Sequence, residues 1–248
     1  MNTGNARKLI VEQMDWLAPD VYQICLQGVN GDVPSYLPSC LLGYLPGQYL
    51  SLHLDECNVG SYSIGSAAES GLLEIQIKTT ANNHQLLHNL RSRSRSTVMV
   101  DMPHGCCRLP SSERPLLMLA GGTGVSQMRS IIYSSIARCE SRSMWLYWGV
   151  DCAASLYLDH ELKELSRQHP RFHYESVVDT AEPNWLGRVG CPHECALLDF
   201  ETLTDFEIVF SGSKNMAKTL YRDFSTAGVD QSRMHCDWLD ILRAQGSM

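Results

Sequence analysis

The sequence predicts a small antiparallel β-barrel followed by an α/β domain whose parallel sheet is wound on both faces. Three observations carry this. Up to about residue 77, short β-branched or alternating apolar runs are separated by Gly, Pro, Asn and Asp, the pattern of strands joined by turns. From Arg114 onward, apolar runs alternate with helical stretches, as in a parallel sheet with crossover helices. At the change of period, Pro115-Leu-Leu-Met-Leu119 runs into Ala120-Gly-Gly-Thr-Gly124, and a helical stretch follows from Ser126 to Arg138.

The first part places strands over Lys8–Met14, Val21–Gln27, Gln48–Leu54 and Leu72–Ile77, with one helical insert over Asn83–Leu90. Several short strands with a single helix suggest a small closed barrel. The second part places strands at 115–120, 144–149, 172–178 and 206–211. These alternate with helices at 126–138, 156–168, 192–198 and 214–227. The polar turn Pro110–Glu113 joins the two, which sets domains of 1–111 and 112–248.

A chain of 248 residues is long enough for two such cores. Hydrophobic residues at 44% and charged residues at 19% fit a soluble globular protein. No apolar run approaches the ~20 residues of a membrane helix, so no membrane partner is expected. Basic residues near Met1–Lys8 lack the apolar stretch of a secretory signal. The expected compartment is therefore the cytoplasm, with the ten cysteines as thiols. A net charge of −7 argues against nucleic acid as a general partner.

The glycine turn carries the first functional signal. Glycines let a backbone approach a ligand, and a helix start offers N–H groups with the positive end of its dipole. That combination suits a phosphate. Gly121-Gly-Thr-Gly124 lacks the full dinucleotide fingerprint and the P-loop lysine, so an ordinary tight βα turn stands as the alternative.

Four further motifs occur in order around it: Pro46-Gly-Gln-Tyr-Leu50 with Ser61-Tyr-Ser-Ile-Gly-Ser66, Met102-Pro-His-Gly105, Tyr147-Trp-Gly149 and Val209-Phe-Ser-Gly-Ser213. In this order the chain resembles the ferredoxin–NADP reductase superfamily, and within it the stand-alone bacterial NAD(P)H:flavin oxidoreductases, including the luciferase-associated flavin reductases. The likeness runs from about Val11 to Asp237. It implies an FAD-binding barrel of ferredoxin-reductase type over 1–111 and an NAD(P)-binding domain over 112–248. The cofactors implied are a flavin (FMN or FAD, held as cofactor or turned over as substrate) and NADH or NADPH.

The resemblance also assigns roles. Tyr49, Tyr62, Ser63 and Ile64 face the flavin, with the Ser63 hydroxyl bonding the hydride-accepting N5 as donor or acceptor. The backbone of Lys78 and Thr79 holds the flavin's polar edge. Ala120, Gly121, Gly122, Thr123 and Gly124 face the nicotinamide nucleotide, with Ser63 and Thr123 as the catalytic hydroxyls. Ser211 and Gly212 form the second wall, where many relatives carry Cys-Gly, and Asp237 helps position the nicotinamide.

Two departures from the family pattern matter. Gly60 stands where the motif begins with an Arg that supports the flavin phosphate or ring. Loss of such a charge-assisted bond costs roughly 1.5–3 kcal/mol, so flavin is expected to bind weakly. Arg91, Arg93 and Arg95 are candidate replacement charges, against the ordinary reading of a solvated face. Asp151 stands where relatives often carry an Arg near the adenosine ribose, and the next cation is Lys163. A carboxylate there repels a 2′-phosphate and accepts bonds from free ribose hydroxyls, which favours NADH.

The cysteines lack the spacing of an iron–sulfur run, with Cys25, Cys40, Cys57, Cys139, Cys152 and Cys236 scattered and Cys106-Cys107 adjacent. Cys191-Pro-His-Glu-Cys195 lacks a second ligand pair for zinc, so no metal is expected. The function expected is hydride transfer from NADH to a loosely bound flavin, which leaves to reduce oxygen, ferric complexes or a flavin-dependent monooxygenase. A reductase subunit with tightly held FAD and a non-catalytic nucleotide-binding relative are the alternatives.

Overall fold

The computed structural model describes residues 6–28, 43–53, 59–92 and 95–244. Arg93, Cys40, Cys57 and Leu54 lie outside them. The chain divides into two compact units, Met1–Leu109 with Arg129–Arg138, and Pro110–Met128 with Cys139–Met248.

The first unit is an antiparallel sheet of β1 (Ala6–Ala18), β2 (Val21–Gly28), β3 (Tyr49–His53), β4 (Val59–Ser63), β5 (Leu73–Lys78) and β6 (Thr97–His104), in the order β4-β3-β6-β1-β2-β5. A bridge between Ile64 and Ile75 ties the two ends of that order together, closing the barrel. Alternation decides what lies inside, because successive side chains on a strand point to opposite faces. Leu50 and Leu52, Leu73, Ile75 and Ile77, and Val98, Val100 and Met102 are buried in one core. The helical insert is α1 (His84–Ser92), which adds Leu87 to that core.

Helix α2 (Val125–Ala137) supplies residues 129–137 to the same unit. There Arg129 Nη1 donates to the Gly65 carbonyl and to Glu74 Oε2, each at 2.9 Å. Ser130 donates to the Ser66 carbonyl at 2.7 Å, and the Ala68 N–H donates to Ser134 Oγ at 3.0 Å. The turn they grip is also bound by the Tyr44 hydroxyl, at 3.0 Å from the Ala67 carbonyl and 3.2 Å from the Leu72 carbonyl. Burial pushes that phenol up to about 12. Segment 65–74, which follows directly on β4, is thus held by charge-assisted and neutral hydrogen bonds together.

The second unit is a parallel sheet of β7 (Leu116–Gly121), β8 (Met144–Val150), β9 (Phe172–Val178), β10 (Arg188–Val189), β11 (Glu207–Ser211) and β12 (Met234–His235), in the order β10-β9-β8-β7-β11-β12. Between the strands run α3 (Asp159–Gln168), α4 (Pro192–Asp199) and α5 (Lys214–Thr226), and α6 (Asp237–Ala244) follows β12. The central strand β7 is buried throughout from Leu116 to Ala120, as expected of a parallel strand covered on both faces.

The predicted strands and helices occur within a few residues of the expected bounds. Strand β1 is longer than predicted, continuing past two register shifts to Ala18, and α3 starts at Asp159 after a 3₁₀ turn at Ala153–Ser155. Strands β4, β6, β10 and β12 and helix α6 have no counterpart among the predicted elements.

Removing one partner of a shielded ion pair strands the other. The Arg129 and Glu74 side chains are only 15% and 14% exposed, so Arg129→Met should cost about 2–4 kcal/mol, slightly below the range for fully buried pairs. Adding Glu74→Gln should restore part of that loss. Urea unfolding followed by circular dichroism measures both, and an unchanged midpoint in Arg129→Met would contradict the assignment.

Candidate functional site

In the second unit the chain runs from β7 outward through β8, β9 and β10, then returns to the other side of β7 with β11 and β12. The order therefore reverses between β7 and β11. Crevices outside the carboxyl ends of strands at such a switch point are where open α/β sheets bind ligands. Both glycine motifs sit there, since Ala120 pairs with Ser211 in register and Gly121–Gly124 and Gly212 follow directly.

The two walls approach closely. A Cβ on Gly124 would collide with the Ser211 carbonyl oxygen, so only glycine permits this packing. Gly122 has φ +52°, a left-handed conformation, and a Cβ there would meet nothing within 4 Å. The turn is thus bare on one side and tightly packed on the other, as close approach of a phosphate to backbone requires. Thr123 is half-buried beside it, whereas Ala120 is fully buried, so it supports the turn from within the sheet and offers no exposed surface to a nucleotide.

Two indoles fix the walls. Trp148, fully buried on β8, donates from Nε1 to the Gly122 carbonyl at 2.8 Å. Trp238, on α6, donates to the Gly212 carbonyl at 3.0 Å. Asp237, next to it, accepts from Gln127 Nε2 at 2.9 Å, which ties it to the first turn of α2. Ser213 caps α5 by accepting from the Met216 N–H at 3.1 Å. Trp148, Trp238 and Gln127 were not among the residues singled out in the sequence. Trp148 lay inside the Tyr-Trp-Gly motif, but its partner is 26 residues away in the chain.

Asp151 lies exposed just past the carboxyl end of β8, and its carbonyl accepts from the Thr180 N–H at 3.1 Å. Asp179, also exposed, follows the neighbouring end of β9. Two candidate cations are engaged elsewhere. Lys163 pairs with Asp159 at 2.6 Å. Arg188 pairs with Asp199 at 2.7 Å and Glu175 at 3.7 Å. Burial raises the Asp199 carboxyl, but the Tyr147 hydroxyl at 2.6 Å and Arg188 outweigh it and hold the group below its ordinary range.

In the first unit, β3 and β4 pair so that Tyr49 lies opposite Ser63 and Leu50 opposite Tyr62. Tyr49 and Ser63 therefore share one face of the ladder, and Tyr62 leaves on the other. Ile64 is fully buried, and its N–H donates to the Gln48 carbonyl at 3.0 Å, so its side chain belongs to the core. The Tyr62 ring folds back along its own strand, and a Cβ placed on Gly60 would collide with its phenol end. The space a side chain at position 60 would enter is taken by Tyr62.

The expected backbone hook at Lys78 and Thr79 is largely spent. The Thr79 N–H donates to the Asp20 carbonyl at 2.6 Å, and the Lys78 carbonyl accepts from Asn83 Nδ2 at 3.1 Å. The Thr79 hydroxyl beside it is buried with no hydrogen-bond partner among the described residues. An unsatisfied buried hydroxyl costs about 1–3 kcal/mol, which a bound polar edge would recover.

Of the candidate replacement cations, Arg91 stands over the stacked rings of Trp16 and Tyr22, at 5.5 and 6.0 Å. Arg95 has a left-handed φ of 55°. His193, between Cys191 and Cys195, pairs with Asp223 at 3.2 Å. Burial pushes the thiols of Cys25 and Cys236 up to about 11 and about 12. The half-buried Cys25 and the buried Cys236 are thus held as protonated thiols at neutral pH.

A closed antiparallel barrel followed by a parallel sheet with paired glycine walls at its switch point is the architecture of a two-domain, nucleotide-dependent oxidoreductase. Residues 118–222 match the family described as the oxidoreductase NAD-binding domain. The chain is 30% identical over 223 residues to the NAD(P)H-flavin reductase of Vibrio harveyi, covering 87% of this chain and 90% of that protein. It is also 30% identical over 214 residues to protein RfbI of Salmonella typhimurium, covering 84% of this chain but 64% of that longer protein. Among solved structures, the ferredoxin reductase in carbazole 1,9a-dioxygenase shares the fold with a TM-score of 0.78 at 22% identity, over 94% of this chain and 68% of that one. The chain belongs to the ferredoxin–NADP reductase superfamily, with flavin reductases among its relatives.

Flavin and a nicotinamide nucleotide are the groups such an architecture holds, and the residues present fit both. The orphaned Thr79 hydroxyl suits a flavin's polar edge. The open face of Gly122 suits a phosphate or nicotinamide amide. If the Trp148 indole holds the turn for the nucleotide, Trp148→Phe should raise KM for NADH about 5-fold, the worth of one hydrogen bond, while KM for flavin stays within about 2-fold. Steady-state kinetics with each substrate varied separately measures this, and equal changes in both constants would count against it.

Proposed function

We propose that the chain is an NAD(P)H:flavin oxidoreductase that passes hydride from NADH, and less well from NADPH, to a loosely held flavin in the cytoplasm. The reduced flavin then leaves for a flavin-dependent oxygenase or for ferric reduction. The observation that carries this reading is at Gly60. With no guanidinium at that position and the Tyr62 ring folded over it, the flavin phosphate lacks the anchor that the family pattern supplies there. Weak retention suits a substrate that is released and harms a permanent prosthetic group.

The protein's contribution is positioning and electrostatics. Nicotinamide supplies the hydride and flavin accepts it, with no side chain obliged to gain or lose a proton. Ser63 serves the acceptor atom, because its hydroxyl can donate to oxidised N5 or accept from reduced N5–H. Tyr49, its cross-strand partner, flanks it on the same face. Gly121–Gly124 and Thr123 receive the nicotinamide nucleotide against the wall of Ser211 and Gly212, with Asp237 positioned by Gln127.

The direct test is NADH oxidation with each free flavin, alongside the absorption spectrum of the protein as isolated. Turnover that needs added flavin supports the proposal, and a yellow protein that keeps its colour through dialysis points to a tightly bound prosthetic group instead. Ser63→Ala should lower flavin reduction about 10-fold or more, since a hydrogen bond to the reacting atom is worth roughly 1–3 kcal/mol. Unchanged turnover at saturating flavin would remove Ser63 from the site.

Donor choice follows from Asp151. With Lys163 and Arg188 already paired, a 2′-phosphate near this carboxylate should cost at least about 1 kcal/mol, giving NADH a roughly 5-fold or greater advantage in kcat/KM. Asp151→Arg should narrow the gap mainly by improving NADPH. A wild-type preference for NADPH would show that another group reads the phosphate.

A further inference from the structure

We propose that His104 is a flavin-binding residue, and that the row Ser63–Tyr49–His104 takes the planar ring common to riboflavin, FMN and FAD rather than a phosphate. This role rests on the reading of Ser63 as the residue beside the flavin N5. Strand pairing sets Tyr49 opposite Ser63 on one side and opposite His104 on the other, so the three stand in line across β4, β3 and β6. Leu50 and Met102, which alternate with them, are buried in the barrel core, so the row lies on the outer face.

The place of His104 depends on an irregularity. Ser51 pairs with Asp101, and a regular antiparallel ladder would then set Tyr49 against Pro103. A register shift between Tyr49 and Ser51 brings His104 there instead. One extra residue on a strand re-aims the side chain that follows it, a device common beside functional sites. Asp101 and His104, three positions apart, would point to opposite faces of an uninterrupted strand. Here His104 Nε2 lies 3.4 Å from Asp101 Oδ2.

The imidazole is therefore held on two sides. Its ring centroid is 5.4 Å from that of Tyr49, tilted by 37°, and Asp101 fixes its polar edge. Gln48, buried next to Tyr49, donates from Nε2 to the Gly105 carbonyl at 3.0 Å, which ties the two strand ends together. The His104 side chain remains 32% exposed, so it is open to a ligand. Two strand spacings of about 4.8 Å make the row about 10 Å long, the scale of three fused six-membered rings. Asp101 beside the imidazole disfavours a second anion, and Gly60 supplies no guanidinium. The row thus offers aromatic surface and one hydroxyl, which suits the flavin ring.

Binding is read by quenching of riboflavin and FMN fluorescence on titration with protein, and NADH binding by calorimetry without flavin. His104→Ala should weaken riboflavin and FMN binding alike, about 5-fold, the worth of one aromatic contact, and leave NADH binding within about 2-fold. His104→Gln, which keeps a polar partner for Asp101 but lacks the ring, should show the same loss. His104→Phe, which keeps a planar ring, should stay within about 2-fold of the wild type for both flavins.

Unchanged riboflavin affinity in a folded His104→Gln protein overturns the proposal, as does a His104→Phe protein that loses as much as His104→Gln. A loss confined to FMN overturns it by assigning His104 to the phosphate. Equal loss of flavin and NADH binding also overturns it, because the role is then structural. A wild-type protein that binds riboflavin while all three variants bind it equally well refutes only the role of His104. A wild-type protein that quenches neither flavin refutes both this role and the flavin-reductase reading.

Discussion

At the switch point of the parallel sheet, β7 and β11 end so close together that a single methyl group on Gly124 would meet the Ser211 carbonyl. Much of the second unit can be understood from that approach. Ala120 and Ser211 are in register, so the two turns that follow leave the sheet side by side and start α2 and α5 from the same edge. Helix starts carry partial positive charge and unpaired N–H groups, and two of them at one edge suit a pyrophosphate. The indole bonds from Trp148 and Trp238 hold the carbonyls of Gly122 and Gly212. With their acceptors restrained, the turns keep a fixed direction for their donors.

The barrel solves a different problem. Its end strands β4 and β5 meet only at the Ile64–Ile75 bridge among the described pairings, so β4 presents an edge. Tyr62 and Ser63 leave that edge on opposite faces. The departure at Gly60 is compensated in packing rather than in charge, because the Tyr62 ring enters the space that a side chain would have used. Segment 65–74, gripped by Arg129, Ser130 and Tyr44, holds the far end of β4 in place.

Much of this architecture was legible in the sequence, for a physical reason. Long buried strands such as Leu116–Gly121 and Met144–Val150 are apolar throughout because both faces are covered, and helices such as α5 carry a periodic apolar face. Strand β4 was not legible: Val59-Gly-Ser-Tyr-Ser63 has no fully buried residue, so no apolar alternation marks it. Strand β6 buries Val98, Val100 and Met102 but also shows Met99 on the outer face, which blurs the period. The two-residue strands β10 and β12 are too short to carry any pattern. The glycine walls and Ser63 are expected from motif order, whereas the Trp148 bond depends on a partner 26 residues away and gives no local signal.

The two indoles that hold the glycine walls also make the protein its own optical reporter. Indole emission depends on what its N–H is bonded to and on nearby groups that absorb at its emission wavelength, and a reduced nicotinamide is such a group. Trp148 is shielded from solvent by burial, so its signal changes little with solvent quenchers, while any displacement of the Gly122 carbonyl alters the environment of its N–H directly. A ligand that displaced the Gly122 carbonyl would therefore alter one part of the native fluorescence of the chain, beside the emission of its other four tryptophans.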